Sequence, residues 1–371
     1  MHELAAAERR LRAMMRVEIE PAWHFRRDGD RHPVPVTLDL LNEIRETGKI
    51  TEAANRAGLS YRHCWNLIER WSDYFETPLV ERRRGRGTTL TPLGEKLVWA
   101  GQRLRARLGP QLQNLARELE AEINLLLPDS AAIIRMHASH GFAVQKLREL
   151  LVAVPGVNID LRYISNQSSL VSLAHETCDL AGTHLPQGPL RRRAIEAAKP
   201  WLSAGEHRVI SFVTREMGLM VKRGNPHRIS RIEDLARPEV SFVNRDQDSG
   251  TRQLLEHLLA QQAIPPARIG GYERVEFTHG AVAAYVASGM ADVAFGFEAA
   301  ARQFHLDFVP LLTEDYFFVC RKETLDLPAT RKIIDVMSSE AFREAIAGMP
   351  GYEVREAGAI KTLPEMFSAD D

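Results

Sequence analysis

The sequence predicts an N-terminal winged helix-turn-helix, a long linker helix, and an α/β domain of two lobes. Three patterns predict this arrangement: two short helices around Gly58, a stretch with few breakers after Pro92, and strands alternating with helices after Pro128. Such alternation is typical of α/β domains with mostly parallel sheets. We expect domains at residues 1–90, 91–128 and 129–355, followed by a C-terminal tail at 356–371.

Length and charge agree with several domains of different character. A chain of 371 residues is too long for one typical core. The chain has a net charge of −1, but residues 31–110 hold 14 Lys and Arg against 9 Asp and Glu. A basic module on a faintly acidic body suits a protein that touches nucleic acid with one end only.

The chain lacks signals for export or a membrane. Cys64, Cys178 and Cys320 are far apart and odd in number, which predicts no disulfide framework and no zinc pair. The first 30 residues lack the apolar segment of a signal peptide, and no apolar run approaches 18 residues. We therefore expect a cytoplasmic protein that needs no cofactor and makes no membrane contact.

The helix-turn-helix is predicted at residues 47–71, after a possible strand at 15–27 and a first helix at 37–46. Thr51 is a candidate cap for the second helix, Gly58 ends that helix, and Ser60 caps the third. In such motifs this last helix enters the major groove of DNA. Its apolar stripe of Cys64, Leu67, Ile68 and Trp71 should face the core, and Trp65 is expected to pack rather than stack on bases.

Double-stranded DNA is the predicted partner of this module. Arg62 and Asn66 are the favoured base readers, although Arg62 alternatively contacts phosphate only. The segment after the third helix predicts a hairpin, or wing, whose arginines follow phosphate. The candidate DNA-binding residues are Thr51, Ser60, Tyr61, Arg62, His63, Asn66, Arg82, Arg83, Arg84 and Arg86.

A long helix should follow the wing. Thr91 is a good cap, Pro92 fits the first turn, and a break or kink is allowed at Pro110. Its apolar stripe comprises Leu112, Leu115, Leu119, Ile123 and Leu126. An apolar stripe on so long a helix needs a partner, which predicts a homodimer or homotetramer.

Polar residues recur where predicted strands end and helices begin. Ligands of open α/β sheets bind at the carboxyl ends of strands, and helix N-termini favour anions. Each residue alone is equally well explained as a helix cap, but their repetition indicates a site for a small anion. The candidates are Ser139, His140, Asn166, Ser168, Ser169, Thr183, His184, Asn244, Arg245, Ser249, Gly250, Thr251, Arg252, Thr278 and His279. Arg252 is alternatively a solvated residue or one that forms an ion pair between the lobes.

Other chemistries have less support. His140, His184 and His279 are an alternative metal site, but no short ligand spacing supports it. The sequence contains no nucleophile or general base with an assigned partner, so we expect neither a resident metal nor an enzyme.

The chain resembles two known families. Residues 36–105, through ITEAANRAGLSYRHCWNLIE and LVERRRGRGTTLTPLGEKL, resemble the winged helix of the ModE molybdate-responsive regulators and, more distantly, of LysR-type regulators. Residues 131–350, through FVNRDQDSGTRQLLE and THGAVAAYVASGMADVAFG, resemble type 2 periplasmic-binding-protein-like domains. The resemblance implies a transcription factor with such an effector domain. It does not carry over the molybdate ligand, since the small β-barrels that bind it in ModE regulators have no counterpart here.

Our leading hypothesis is a one-component regulator that senses a small anion, such as molybdate, tungstate, a molybdenum-cofactor derivative, formate or another small carboxylate. An alternative is a solute-binding or enzyme-like protein in which the winged helix is secondary. A third is a constitutive DNA-binding protein with a vestigial cleft.

Overall fold

The computed structural model describes residues 16–27, 30–83, 87–125 and 133–368. The chain divides into two compact units, one spanning Glu20–Gly109 and one that comprises, of the described residues, 16–19 and those from Pro110 onward. In the described part of the chain, no helix is long and apolar enough to cross a membrane. The three cysteines are free and buried.

The first unit is a small helical domain with two hairpins. In chain order its elements are β1 (His24–Arg27), β2 (Asp30–Pro33), α1 (Pro35–Thr47), α2 (Ile50–Arg56), α3 (Tyr61–Phe75), β3 (Val80–Arg83) and β4 (Gly87–Leu90). The predicted strand at 15–27 is therefore confined to its last four residues. Helix α4 (Pro92–Leu125) follows and runs through Pro110, about 50 Å at 1.5 Å per residue.

Glycine turns and one buried face of α3 determine how the helices of this unit pack. Gly48 ends α1 with a φ of 67°, and Gly58 ends the turn after α2 with a φ of 65°, a region that glycine occupies without strain. Cys64, Ile68 and Trp71 are buried on one face of α3, as the apolar stripe predicted. Phe25 packs edge-on against Trp71 at 5.7 Å, so the first hairpin closes the same core.

The second unit contains a ten-stranded sheet flanked by helices. Its first part comprises β5 (Ile133–Ala138), α5 (Phe142–Leu151), β6 (Asn158–Tyr163), α6 (Asn166–Ala174), β7 (Leu180–Pro186), α7 (Arg191–Ala198), β8 (His207–Val221), β9 (Phe242–Arg245) and α8 (Gly250–Gln261). The remainder comprises β10 (Val275–Glu276), α9 (His279–Ala287), β11 (Val293–Phe297), α10 (Glu298–Gln303), β12 (Asp307–Arg321), α11 (Pro328–Ser338), α12 (Glu340–Ala347), β13 (Tyr352–Glu353), β14 (Ile360–Thr362) and α13 (Leu363–Met366).

The sheet order is β10-β9-β11-β8-β12-β7-β5-β6, with β13 and β14 also paired to β8. Strands β5, β6 and β7 are parallel in the first lobe, and β9, β10 and β11 are parallel in the second. The expectation of mostly parallel pairing fails at the centre. Strands β8 and β12, each 15 residues long, pair antiparallel with each other and with strands of both lobes, and thereby connect the lobes.

Three segments near the C-terminus differ from expectation. The runs LDFVPLL and DYFFVCRK predict two strands, but residues 307–321 form one, because the register shift at Pro310 does not interrupt pairing with β8. The sequence predicts one final helix at about 329–347, but the structure has two, because Ser339 caps a new helix by accepting from the N–H of Phe342. Residues 360–366 are not a tail, since β14 pairs with β8 and both Leu363 and Met366 are buried.

Candidate functional site

Helix α3 presents a polar face in the first unit. Ser60 caps it by accepting a hydrogen bond from the N–H of His63 at 3.2 Å, as predicted. Arg62, His63 and Asn66 are exposed on the face opposite the core stripe. A capped helix with exposed donors on its first two turns has the form that a major groove accepts.

The hairpin after α3 is present in the predicted place. Strands β3 and β4 pair antiparallel, with Arg82 opposite Thr88 and Arg83 opposite Gly87. Arg84 and Arg86, both candidate DNA contacts, lie outside the described residues. Arg82 is exposed but not free, because its guanidinium lies 4.6 Å above the ring of Trp65.

The predicted role of Thr51 as a helix cap is wrong. Helix α2 begins at Ile50, and the residue at its cap position is Lys49, without a side-chain cap bond. Extended backbone at Lys49 lets the helix start two residues earlier than a cap at Thr51 would allow. Thr51 is exposed within the first turn.

In the second unit, the start of α8 in one lobe lies directly against the other lobe. A Cβ atom added to Gly250 would lie 2.9 Å from the ring of His184 and 3.6 Å from Cβ of Asn166. Phe142, the first residue of α5, packs edge-on at 5.6 Å against Phe297 of β11. The structure therefore brings together strand ends and helix starts from both lobes. The sequence pattern had predicted only that each of them carries polar residues.

The connecting strands supply a charge cluster that sequence reasoning missed. Arg215 of β8 contacts Glu314 of β12 with both Nε and Nη2 at 3.1 Å, and His184 Nδ1 lies 3.0 Å from the same carboxylate. Burial raises the pKa of Glu314, but the charges of His184 and Arg215 outweigh it and bring the pKa to about 2. Charged residues within the apolar runs ISFVTREMGLMV and LLTEDYFFV were the available signal.

Arg245, at the end of β9, is a cation with unmet hydrogen-bonding capacity. Its side chain is 12% exposed, and its Nε and Nη1 are buried without a hydrogen-bond partner in the described structure. Its Nη2 donates to the carbonyl of Phe277 at 3.0 Å and lies 3.5 Å from Asp246. Burial lowers the pKa of Arg245 to about 10, so the guanidinium still carries its charge at neutral pH.

Arg252 behaves differently although it is only seven residues away. Its Nε donates to Glu256 at 3.1 Å, and its guanidinium lies 5.0 Å from the ring centre of Tyr272. Its Nη1 donates to the carbonyl of Arg245 at 3.3 Å. Arg252 is thus held within its own lobe by an ion pair with Glu256, and not by the inter-lobe ion pair that the sequence left open as an alternative.

Two histidines near Arg245 are neutral. Burial, together with the charge of Arg245, lowers the pKa of His140 to about 4. Burial also lowers the pKa of His279 well below its ordinary value, as do Arg245 and Arg215. His279 Nε2 lies 3.2 Å from Oγ1 of Thr251, and its ring packs at 3.9 Å on Phe297. Neither His140 nor His279 therefore adds a cation to the cluster at neutral pH.

The helix starts fall into two classes. Ser165 caps α6 by accepting from the N–H of Ser168, and Thr278 caps α9 by accepting from the N–H of Ala281. No side chain caps α5 after Gly141, or α8 after Ser249. Among these four helix starts, the two without a side-chain cap are those of the Ser139–Gly141 and Ser249–Thr251 segments.

The remaining candidates have internal partners. The hydroxyl of Ser168 accepts a hydrogen bond from the hydroxyl of Ser165, and the hydroxyl of Ser169 donates to the carbonyl of Ser165. Thr183 donates to the amide oxygen of Asn166. Ser139 and Asn244 have more distant partners. Ser139 Oγ lies 3.4 Å from the Tyr316 hydroxyl, and Asn244 Nδ2 lies 3.3 Å from the carbonyl of Tyr272. Within the ranges that the structure describes, no group of three or more His, Cys, Asp or Glu is arranged to hold a metal ion.

Comparisons with known proteins match both units. Residues 36–95 match the bacterial regulatory helix-turn-helix proteins of the lysR family, and residues 147–338 match the PBP superfamily domain. The Bacillus subtilis (strain 168) protein YvgK, described as uncharacterized, is 30% identical over 199 residues, which are 54% of this chain and 64% of YvgK.

A second relative matches a shorter part of the chain. The Escherichia coli (strain K12) DNA-binding transcriptional dual regulator ModE is 35% identical over 68 residues, which are 17% of this chain and 26% of ModE. A solved structure of a Corynebacterium glutamicum OxyR mutant with bound H2O2 aligns with a TM-score of 0.44 and 13% identity, covering 84% of this chain and 93% of its own.

The chain thus spans less than two thirds of the length of YvgK and about a quarter of ModE. The PBP superfamily match alone covers more than half of the chain. The chain therefore belongs to the PBP superfamily, and its first unit is a helix-turn-helix domain of the lysR family of bacterial regulatory proteins.

Proposed function

We propose that this protein is a one-component transcriptional regulator that binds operator DNA through α3 and the wing and senses a small anion in the cleft of its second unit. The family match of residues 36–95 supports the DNA-binding half. So do the exposed side chains of Arg62 and Asn66 on a helix capped by Ser60.

The observation that carries the sensing half is that Nε and Nη1 of Arg245 are buried without a hydrogen-bond partner in the described structure. Leaving buried donors unpaired is costly, and an anion placed against these two nitrogens would remove that cost. The α5 and α8 starts, which no side chain caps, add N–H groups and favourable dipole ends.

The charge balance of the cleft supports an anion of small size and low charge. Arg215 is already neutralised by Glu314, and His140 and His279 are neutral at pH 7. In the described part of this cluster, Nε and Nη1 of Arg245 then remain for a ligand. Molybdate, tungstate, a molybdenum-cofactor-related anion, formate and other small carboxylates are the candidates that such a site can hold.

Regulation requires that the anion bind two states of the protein unequally. In our proposal the states differ in how a homodimer or homotetramer presents its helix-turn-helix units to a two-half-site operator. The apolar side chains that α4 leaves exposed are the proposed contact between copies.

A thermal-shift comparison tests the sensing half. Wild type, Arg245→Gln and Arg252→Gln are titrated with molybdate, tungstate, sulfate, phosphate, formate and acetate. An anion at 100 times its Kd should stabilise the wild type by about 2.7 kcal/mol. We expect Arg252→Gln to respond like the wild type and Arg245→Gln to lose the response, because Nε and Nη1 of Arg245 are buried without a partner among the described residues, whereas Arg252 is paired with Glu256. Equal responses of both variants would place the anion elsewhere.

A selection from a random DNA library tests the other half. Recovery of a two-half-site consensus by the full-length protein is the expected result. Failure to enrich any sequence, together with anion binding, would instead favour a solute-binding protein in which the helix-turn-helix is secondary.

A further inference from the structure

Three side chains join the start of α3 to the first strand of the wing. Trp65 Nε1 donates a hydrogen bond to the hydroxyl of Tyr61 at 2.6 Å. Arg82 Nη2 donates to the same hydroxyl at 3.1 Å, while its guanidinium lies 4.6 Å above the Trp65 ring. The Tyr61 and Trp65 rings pack edge-on at 6.4 Å, so the cluster is held by ring contacts as well.

The hydrogen-bonding capacity of these groups determines which further hydrogen bond the Tyr61 hydroxyl can form. An indole N–H and a guanidinium N–H are donors only, whereas a phenol has one hydrogen and two lone pairs. Trp65 and Arg82 therefore occupy both acceptor positions of the hydroxyl. Its hydrogen is the part that remains, and no acceptor for it lies within hydrogen-bond distance among the described residues.

The position and exposure of Tyr61 leave its hydroxyl hydrogen accessible to a partner outside the protein. Tyr61 is the first residue of α3 and is 43% exposed, directly before Arg62. Duplex DNA offers acceptors at its phosphate oxygens and at the base-edge atoms of the major groove. Water satisfies the hydroxyl in the free protein, but a docked duplex would replace that water with a fixed acceptor.

We propose that Tyr61 is a pre-oriented, one-way hydrogen-bond donor to an acceptor atom of DNA, and that Trp65 and Arg82 are the residues that orient it. This inference rests on the proposed DNA-binding function and adds a positioning device to it. It also assigns Arg82 a role besides phosphate contact, since one of its N–H groups is committed within the protein.

The first experiment removes the hydroxyl and keeps the ring. Full-length wild type and Tyr61→Phe are titrated with a 40-base-pair duplex of random sequence and with the consensus duplex that the wild type selects. Loss of a hydrogen bond to a charged acceptor should weaken binding about ten- to hundredfold. The dependence on salt concentration should not change, because the hydroxyl carries no charge. Tyr74→Phe, the same change about 20 Å further along α3, is the matched control and should bind like the wild type.

The pattern of loss identifies the acceptor. Equal loss on both duplexes indicates a phosphate oxygen, and loss on the selected duplex alone indicates a base edge. Wild-type affinity of Tyr61→Phe for both duplexes overturns the inference. A wild type that binds neither duplex overturns the proposed function itself, so the two failures are distinguishable.

The second experiment tests the orienting role. Trp65→Phe removes the indole donor, and it should weaken DNA binding in the wild-type background but not in the Tyr61→Phe background. Additive losses would mean that Trp65 acts independently of the hydroxyl. The indole N–H resonance of Trp65 should also shift in free Tyr61→Phe. An unchanged resonance would show that the hydrogen bond is absent, and would overturn the orientation by Trp65.

Discussion

Asn114 of α4 holds both backbone hydrogen-bonding groups of Tyr163. Its Nδ2 donates to the Tyr163 carbonyl and its Oδ1 accepts from the Tyr163 N–H, both at 2.8 Å. Strand β6 lies at the edge of the sheet, so the amide side chain takes the place of a neighbouring strand. The Tyr163 ring packs edge-on at 4.9 Å against His140 of the proposed anion site. One side chain therefore fixes the long helix to a strand end beside the cleft.

Replacing this side chain should uncouple sensing from DNA binding. Asn114→Ala leaves two backbone groups without partners, which should cost about 2 kcal/mol of unfolding free energy in urea. Anion affinity should change little, while the effect of the anion on operator affinity should fall. Gln113→Ala is the control, because Gln113 Oε1 is buried without a partner and its loss should cost little. An intact anion effect in Asn114→Ala would mean that the signal takes another route.

Arg62→Ala should weaken binding to the selected operator by about 1–3 kcal/mol and relax preference at one base pair. The reason is its exposed place in the first turn of a helix whose opposite face is core. Electrophoretic mobility shifts with operator and random duplexes measure it. Arg331→Ala removes an exposed arginine from the second unit and controls for net charge. If Arg62→Ala loses the same affinity for both duplexes, Arg62 contacts a phosphate rather than a base edge.

The exposed stripe of α4 should mediate self-association. Leu115 and Leu119 are 46% and 39% exposed, whereas Ala116 between them is buried. Leu115→Glu combined with Leu119→Glu should give monomers in analytical ultracentrifugation and lose the two-half-site operator. Gln111→Glu adds charge at an exposed polar position of the same helix and should leave the assembly unchanged. A persistent oligomer in the double variant would place the interface elsewhere.

Sequence patterns predicted the local elements well because their causes are local. The Ser60 cap, the turn at Gly58, the stripe of α3 and the strand-helix alternation each depend on residues within one or two turns of each other. The two failures near the C-terminus occur where pairing with a strand distant in sequence determines the structure. Residues 307–321 stay one strand because β8 pairs along their length, and residues 360–366 are ordered because β8 accepts one more strand.

The same limit applies to the cleft. Polar residues at strand ends were predictable, since topology places those ends together. The Arg215–Glu314 pair joins residues 99 positions apart, so period-two patterning gave no sign of the contact. Arg245 and Arg252 are chemically identical in the sequence. Only the fold shows that Arg252 has Glu256 and Tyr272 as partners while Arg245 keeps two N–H groups unused.

Acid should destabilise the protein partly through His140. The pKa of this histidine is about 4 in the folded state, against an ordinary 6.5, because of burial and then Arg245. Between these values the unfolded chain binds the proton and the folded chain does not, so stability is complete above pH 6.5 and falls as the pH drops toward 4. The loss should be on the order of 1–3 kcal/mol. His140→Gln should flatten the fall in Tm between pH 7.5 and 5, whereas the exposed His175→Gln should not. Parallel curves for wild type and His140→Gln would remove this histidine from the acid response.

Thr251 should contribute a hydroxyl to the bound anion. It is 4% exposed in the first turn of α8, which no side chain caps, and its Oγ1 lies 3.2 Å from Nε2 of neutral His279. If the imidazole N–H donates to Oγ1, the hydroxyl hydrogen is available for a ligand. Thr251→Val keeps the shape and removes that donor, so anion affinity should fall about ten- to hundredfold, which corresponds to roughly 1.5–3 kcal/mol. Operator binding without anion should persist, because the helix-turn-helix is untouched.

Calorimetry on the anion identified by the thermal-shift screen measures this effect. Thr330→Val is the matched control, since Thr330 is fully buried in α11 and its hydroxyl lacks a partner among the described residues. It should bind the anion like the wild type and be no less stable, because it removes an unsatisfied polar group. Wild-type affinity in both Thr251→Val and Ser139→Ala would mean that neither hydroxyl touches the anion. The ligand would then have to be held by Arg245 and the backbone amides of α5 and α8 alone.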